Sequence, residues 1–186
     1  MEKNNQIHSR VLWLTRTAVL VAVLITLQWA TSGTQAFAGQ YITGSLVNCV
    51  LAISALFAGL YSGLTVAILS PFFAFVLGVG PKLLQIVPCI ALGNAVFVTV
   101  LYFLGRKADK HWKQGLCLAS GALAKFFVLY LAVVQVVLPI MGEQLKAPQI
   151  KTFTAMFSWS QLVTALLGGL LAFLLLPILK KAMKKV

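Results

Sequence analysis

The chain has 186 residues, 60% of them hydrophobic and 10% charged, with a formal net charge of +12 and a mean hydropathy of +0.95. A soluble domain carries about 25% charged residues, so this composition excludes one. Nor does the positive charge point to nucleic acid, because it is gathered at a few places between long apolar runs.

A helix of about 20 apolar residues crosses a hydrocarbon core of about 30 Å. Runs of that kind lie at roughly 11–30, 43–60, 62–78, 83–105, 116–139 and 159–179. They predict an all-α integral membrane bundle of six transmembrane helices, forming one domain over 1–186. Lys3, Arg10 and Arg16 precede or open the first run; Arg106, Lys107, Lys110 and Lys113 separate the fourth from the fifth; Lys180, Lys181, Lys184 and Lys185 close the chain. The alternate connections hold Lys82, Lys146 and Lys151. Positive residues stay inside during insertion, so both termini are expected to be cytoplasmic.

In the first span, "RTAVLVAVLITLQ" (16–28), Ala18 and Ala22 stand one turn apart near the cytoplasmic end. Small residues four apart let another membrane helix approach closely. The "TQAFA" stretch (34–38) offers an Ala-x-Ala site, but the preceding apolar run exceeds the usual signal-peptide core of about 7–15 residues, so the span is expected to stay. The outer loop at 31–42 is polar and uncharged, and it is a candidate gate.

Spans two and three meet in "FAGLYSGLTV" (57–66), where Gly59 and Gly63 permit a tight helical hairpin. Pro71 and Pro88 fall inside spans three and four and are expected to kink them. "LGVGPK" (77–82) reads as an outer turn, and 140–158 as a second long outer loop carrying Glu143.

The fifth span contains Lys125 in "SGALAKFFVLYLAVVQVV" (120–137). It lies about nine residues, or about 14 Å, from the cytoplasmic start of the helix. A lysine side chain reaches roughly 6 Å, so snorkelling to the surface would be incomplete. The chain's acids are Glu2, Asp109 and Glu143, none within an apolar run. The partners open to Lys125 are therefore carbonyls freed by a proline, a hydrated pocket floor, a second subunit or an anionic ligand.

Several absences narrow the chemistry. With no carboxylate in a span, the usual proton or cation relay of an ion-coupled transporter is missing. There is no Gly-x-x-x-x-Gly-Lys-[Ser/Thr] loop for ATP. His8 and His111 both fall in cytoplasmic segments, and no serine or cysteine has a histidine base beside it. Cys49, Cys89 and Cys117 are isolated in apolar runs and read as structural thiols. No catalysis, cofactor or metal is expected, and solute movement against a gradient would need energy from a partner.

The polar residues that remain are lopsided. Gln28, Asn48, Gln85, Gln135 and Gln161 fall in the outer parts of their spans, with Trp29 and Trp159 at the same end and Asn94 near mid-depth. Buried amides must be hydrogen-bonded, so such a set either holds helices together or shares a polar pocket. The predicted outward pocket uses Asn48, Gln85 and Gln135 as hydrogen-bonding groups, Gln28 and Gln161 beside them, Trp29 and Trp159 as walls or lids, and Lys125 below.

Together with "SLVNCVLAISALFAGLYSGLTVAILSP" (45–71), "QIVPCIALGNAVFV" (85–98) and "FSWSQLVTALLGGLLA" (157–172), these features resemble the substrate-binding S components of energy-coupling factor (ECF) vitamin transporters, in the pantothenate-, folate- and cobalamin-type branch. The resemblance implies a multi-pass bacterial membrane protein that captures a vitamin outside the cell. It implies docking through Ala18 and Ala22 onto a membrane coupling subunit with two cytoplasmic ATPases, as part of an ABC transporter. The lysine favours a carboxylate-bearing ligand, but which vitamin is bound is not specified. The competing readings are a non-transport membrane scaffold, whose amides would be helix glue, and a lipid-modifying membrane enzyme.

Overall fold

The computed structural model describes residues 2–33, 37–81, 83–108, 110–142 and 144–183. Lys82, Asp109, Glu143, Lys184, Lys185 and positions 34–36, with Gln35 and most of the Ala-x-Ala stretch, lie outside them. The described residues form helices and short connections, with no strand among them.

Helix α1 is Glu2–Ala30. Helix α2, Phe37–Ile53, continues into a π-helical turn, Ser54–Ala58. Helix α3 is Leu60–Val76. Helix α4, Val87–Gly105, follows a single 3₁₀ turn at Leu84–Ile86. Helix α5, His111–Leu129, runs on as the π-helical Tyr130–Val137 and a last turn at Leu138–Ile140. Helix α6 is Ala147–Met156, and α7 is Trp159–Met183.

Among the described residues, five apolar stretches are long enough to cross a membrane: Ser9–Ala30, Gly39–Ala58, Leu84–Gly105, His111–Ile140 and the one ending in α7. The remaining apolar helix, α3, has 17 residues and is the shortest of the set. Its outward surface is as apolar as the others, with Ile68, Phe72 and Val76 exposed. The same holds on α7, where Leu167, Leu170, Leu174 and Ile178 face outward. Such a surface is at home only among lipid tails or other membrane helices.

Three details differ from the sequence-based expectation. Helix α2 starts at Phe37 rather than near 43, so much of the expected outer loop at 31–42 is the first turn and a half of a helix. The second long loop, 140–158, contains α6. It is opened by the backbone N–H of Lys146 donating to Gln149 Oε1 at 2.9 Å, with Pro148 in its first turn. Pro88 does not kink a helix: it occupies the first turn of α4, where a missing N–H costs nothing because that donor has no partner within the helix. Pro71 does lie within α3. Lys107 and Ala108 close the end of α4 in a turn, as the basic separator predicts.

The hairpin between α2 and α3 turns on Gly59, whose φ of +100° is open to glycine and strained for other residues. Near it, Thr17 on α1 shares a 2.8 Å hydrogen bond with Ser62 on α3, and Arg16 lies over the Phe57 ring at 5.9 Å. Helix α2 packs along α7, α4 along α5 and α3 along α4. Backbone meets backbone closely at Gly168 on α7. A β-carbon there would overlap the Ser45 carbonyl oxygen and stand 2.6 Å from Asn48 Cβ. Gly168→Ala must therefore push α2 and α7 apart, and should cost about 3 kcal/mol, the upper end for overpacking. Thermal unfolding of the purified variant measures this, and an unchanged midpoint would contradict so close a contact.

The interior has two apolar clusters. One gathers Leu24, Leu51, Val66, Phe97, Leu101 and Ala165; the other gathers Ile86, Leu129, Val133, Leu138 and Phe157. Lys125 stands one turn from Leu129 on α5 and faces the Phe97 ring, which places it where the two clusters meet.

Candidate functional site

Lys125 is 3% exposed. Its Nζ donates to Asn48 Oδ1 at 2.6 Å and to Asn94 Oδ1 at 2.7 Å, and lies 5.6 Å from the centre of the Phe97 ring. An ammonium is a donor only, so both amides present their oxygens to it. Asn48 then turns its Nδ2 toward Thr164 Oγ1 at 3.3 Å, and Thr164 donates to the Gln161 carbonyl at 3.2 Å. The line Asn94, Lys125, Asn48, Thr164 thus crosses α4, α5, α2 and α7 through the interior of the bundle.

One partner of Lys125 is Asn48, a residue of the predicted pocket, and the other is Asn94. The ammonium thus meets two neutral amide oxygens and an aromatic face, not proline-freed carbonyls. Charge-assisted hydrogen bonds of this length are the strong kind. They do not cancel the charge of a lysine ammonium, however, and among the described residues its partners are these two dipoles and the Phe97 ring. Three residues from Asn48, the Ser45 hydroxyl is buried and finds no hydrogen-bond partner among the described residues.

The other predicted residues divide into groups. Gln28 is buried, with Nε2 3.3 Å from the Ser70 carbonyl, while its Oε1 is buried and unpartnered among the described residues. Gln161 joins the Lys125 line through its backbone, and its side chain donates to the Met156 carbonyl at 3.1 Å. Gln135 is exposed and donates to Tyr130 Oη at 3.0 Å. That contact follows from the π-helical winding, which brings residues five apart over one another. Trp159 is 71% exposed and leans on Phe126 at 6.0 Å, which stacks on Tyr130. Gln85 is exposed on the 3₁₀ turn, and Trp29 is 67% exposed at the end of α1. The structure therefore brings together Asn48, Lys125 and Gln161, and separately Gln135 and Trp159. Gln28, Gln85 and Trp29 stand apart from both groups.

Asn94 and Thr164 join the site without having been singled out for it. Asn94 carried a signal, since it is an amide at the same depth as Lys125; Thr164 carried none, because a threonine in a membrane helix usually bonds its own backbone. Ala18 and Ala22 are both exposed on α1, on the side opposite the buried Thr17, Leu24 and Gln28.

No curated protein and no solved structure matches the chain. A family model does, over residues 13–180: that of the substrate-specific component of ECF transporters. The match takes in all the apolar helices and the whole Lys125 line, and by it the chain belongs to the ECF transporter substrate-specific component family.

Proposed function

We propose that this chain captures a small carboxylate-bearing vitamin, or a related micronutrient, at the outer end of a six-span bundle with both termini cytoplasmic, in a bacterial cell membrane. A substrate-specific component is a membrane-embedded, non-catalytic binding protein that associates with ECF coupling and ATPase modules. The finer reading adds the ligand class, the orientation and the docking face. The distribution of Lys and Arg supports the orientation, and the 17 residues of α3 suffice to cross with the bilayer slightly thinned.

The observation that carries the ligand class is Lys125, buried with no acidic partner among the described residues. A buried ammonium satisfied only by amides is held at considerable cost. A carboxylate entering from the outer end would supply the missing negative charge. Ser45, three residues from Asn48, holds a buried polar atom in reserve that a bound solute or its water would satisfy. Trp159 with Phe126, and Trp29 on α1, are the apolar surfaces offered at that end. Docking through Ala18 and Ala22 to a coupling subunit flanked by two ATPases completes the reading.

The test is mass spectrometry of small molecules released on denaturing the purified chain. A stoichiometric carboxylate-bearing vitamin is expected, with retention lost in Lys125→Met while the variant remains folded. A ligand without a carboxylate, or retention unchanged in that variant, would sink the assignment of the lysine's charge to the ligand. No binding to a panel of vitamins would sink the capture role itself.

A further inference from the structure

At the opposite end of the bundle from Trp159, where α4 ends and α5 begins, lies a cavity of 410 Å³, within the about 300–1,000 Å³ range of ligand pockets. Its walls are of two kinds. Leu56, Phe173, Leu176 and Pro177 form an apolar side, while Arg106, Gln114 and Lys180 bring polar groups. Nothing in the proposed capture of a solute at the outer end uses it.

The polar groups are partly fixed in place. Arg106 is anchored by a 2.7 Å hydrogen bond from Nη1 to Tyr102 Oη, with its guanidinium 5.1 Å from the Tyr102 ring centre. This leaves further N–H groups of the fork for a ligand. Gln114 donates to the Ala108 carbonyl at 3.3 Å. Pro177 has no N–H, so the Phe173 carbonyl one turn before it has lost its helical donor, and Lys180 follows less than one turn later. Along the sequence, the segments 106–113 and 180–185, which supply Arg106 and Lys180, hold eight Lys and Arg residues against the single acid Asp109. The charge balance stays strongly positive even with that acid fully paired.

A forked guanidinium and an ammonium beside an apolar wall fit a phosphate with a hydrocarbon attached. We propose that this cavity binds the phosphate of an anionic membrane phospholipid, with Arg106 and Lys180 on the phosphate and the glycerol and first acyl carbons against Phe173 and Leu176. The cations could as well hold a free phosphate, but only a lipid also uses the apolar wall. The site does not depend on the solute carried or on which way the bundle faces.

The experiment is native mass spectrometry of the full chain in detergent, titrated separately with phosphatidylglycerol, phosphatidylcholine and inorganic phosphate. Phosphatidylglycerol should be retained in preference to phosphatidylcholine, and phosphate should neither bind nor displace it. In Arg106→Gln/Lys180→Gln the bound fraction should fall more than about tenfold, at about fivefold per charge removed. The control pair Lys110→Gln/Lys181→Gln, both exposed and outside the cavity lining, should change it less than about twofold. Equal loss in the control pair would reduce the effect to general surface attraction and overturn the site. Displacement by inorganic phosphate, or equal binding of phosphatidylcholine, would overturn the anionic lipid as its ligand.

Discussion

Asn94→Leu should destabilise the bundle by about 3 kcal/mol, more than Lys125→Met does, although it removes no charge. The substitution leaves the Lys125 ammonium buried with one amide oxygen where it had two. Removing one partner of a buried charge typically costs about 3–5 kcal/mol, because the remaining charge has nowhere to find compensation. Lys125→Met instead deletes the charge, keeps the length of the stem and keeps the contact with Phe97. It leaves two amide oxygens short of a donor, at an average of about 0.6 kcal/mol each inside a membrane bundle. Combining the two changes should therefore restore stability relative to Asn94→Leu alone. Unfolding of the purified variants, by heat or by added denaturing detergent, measures all three. A double variant less stable than Asn94→Leu would show that the ammonium is not the source of the cost, and the line from α4 to α7 would then be ordinary helix glue. The same Lys125→Met protein separates the two roles open to the lysine: stable and empty of ligand marks a charge used for binding, stable and loaded marks a charge used for packing.

Much of the architecture was legible because the bilayer imposes it. A spanning helix must be apolar for about 20 residues, so such runs stand out: five coincide with stretches long enough to cross a membrane and the sixth with the shorter α3, although α1, α2 and α5 each begin earlier than the run that announced them. What failed lay outside that constraint. Helix α6 is only ten residues long, and its inward face is limited to the half-buried Ile150, Phe153 and Met156 against the second cluster, too short a stripe to stand out as a periodic signature. Pro88 was misplaced by its distance from the helix start: a proline two residues inside a helix and one in its middle look alike in a run of apolar residues. At the site, chemistry carried further than pattern. That Lys125 needed a buried partner followed from depth and reach, and Asn48 was on the page for its own reasons. Its meeting with Asn94 depends on how α2, α4 and α5 cross, which no spacing along a single helix encodes. The exposed positions of Gln85 and Trp29 show the converse limit, because equal depth in the bilayer does not mean the same side of the bundle.

Ala22→Trp should leave ligand retention within about twofold and reduce energised uptake by more than tenfold. Helix α1 has two sides, and Ala22 belongs to the outward one. Thr17, Leu24 and Gln28 are buried, whereas Ala18, Val19, Ala22 and Val23 are exposed. A tryptophan at 22 therefore meets lipid rather than the core, so the fold and the distant Lys125 line have no reason to change. Docking is another matter. Two alanines one turn apart allow a partner helix to approach at backbone distance, and an indole placed between them keeps that helix several Å away. Close packing is the main attraction between helices in lipid, so the contact is lost rather than weakened. The matched control is Ile68→Trp on α3, also exposed but outside the alanine face, which should spare both retention and uptake. The measurement is uptake by vesicles holding the chain with its coupling and ATPase subunits, alongside ligand release from the same preparations. Uptake surviving in Ala22→Trp would remove α1 as the docking surface. Loss of retention in that variant would instead tie α1 to the ligand site, through Gln28 and its contact with Ser70.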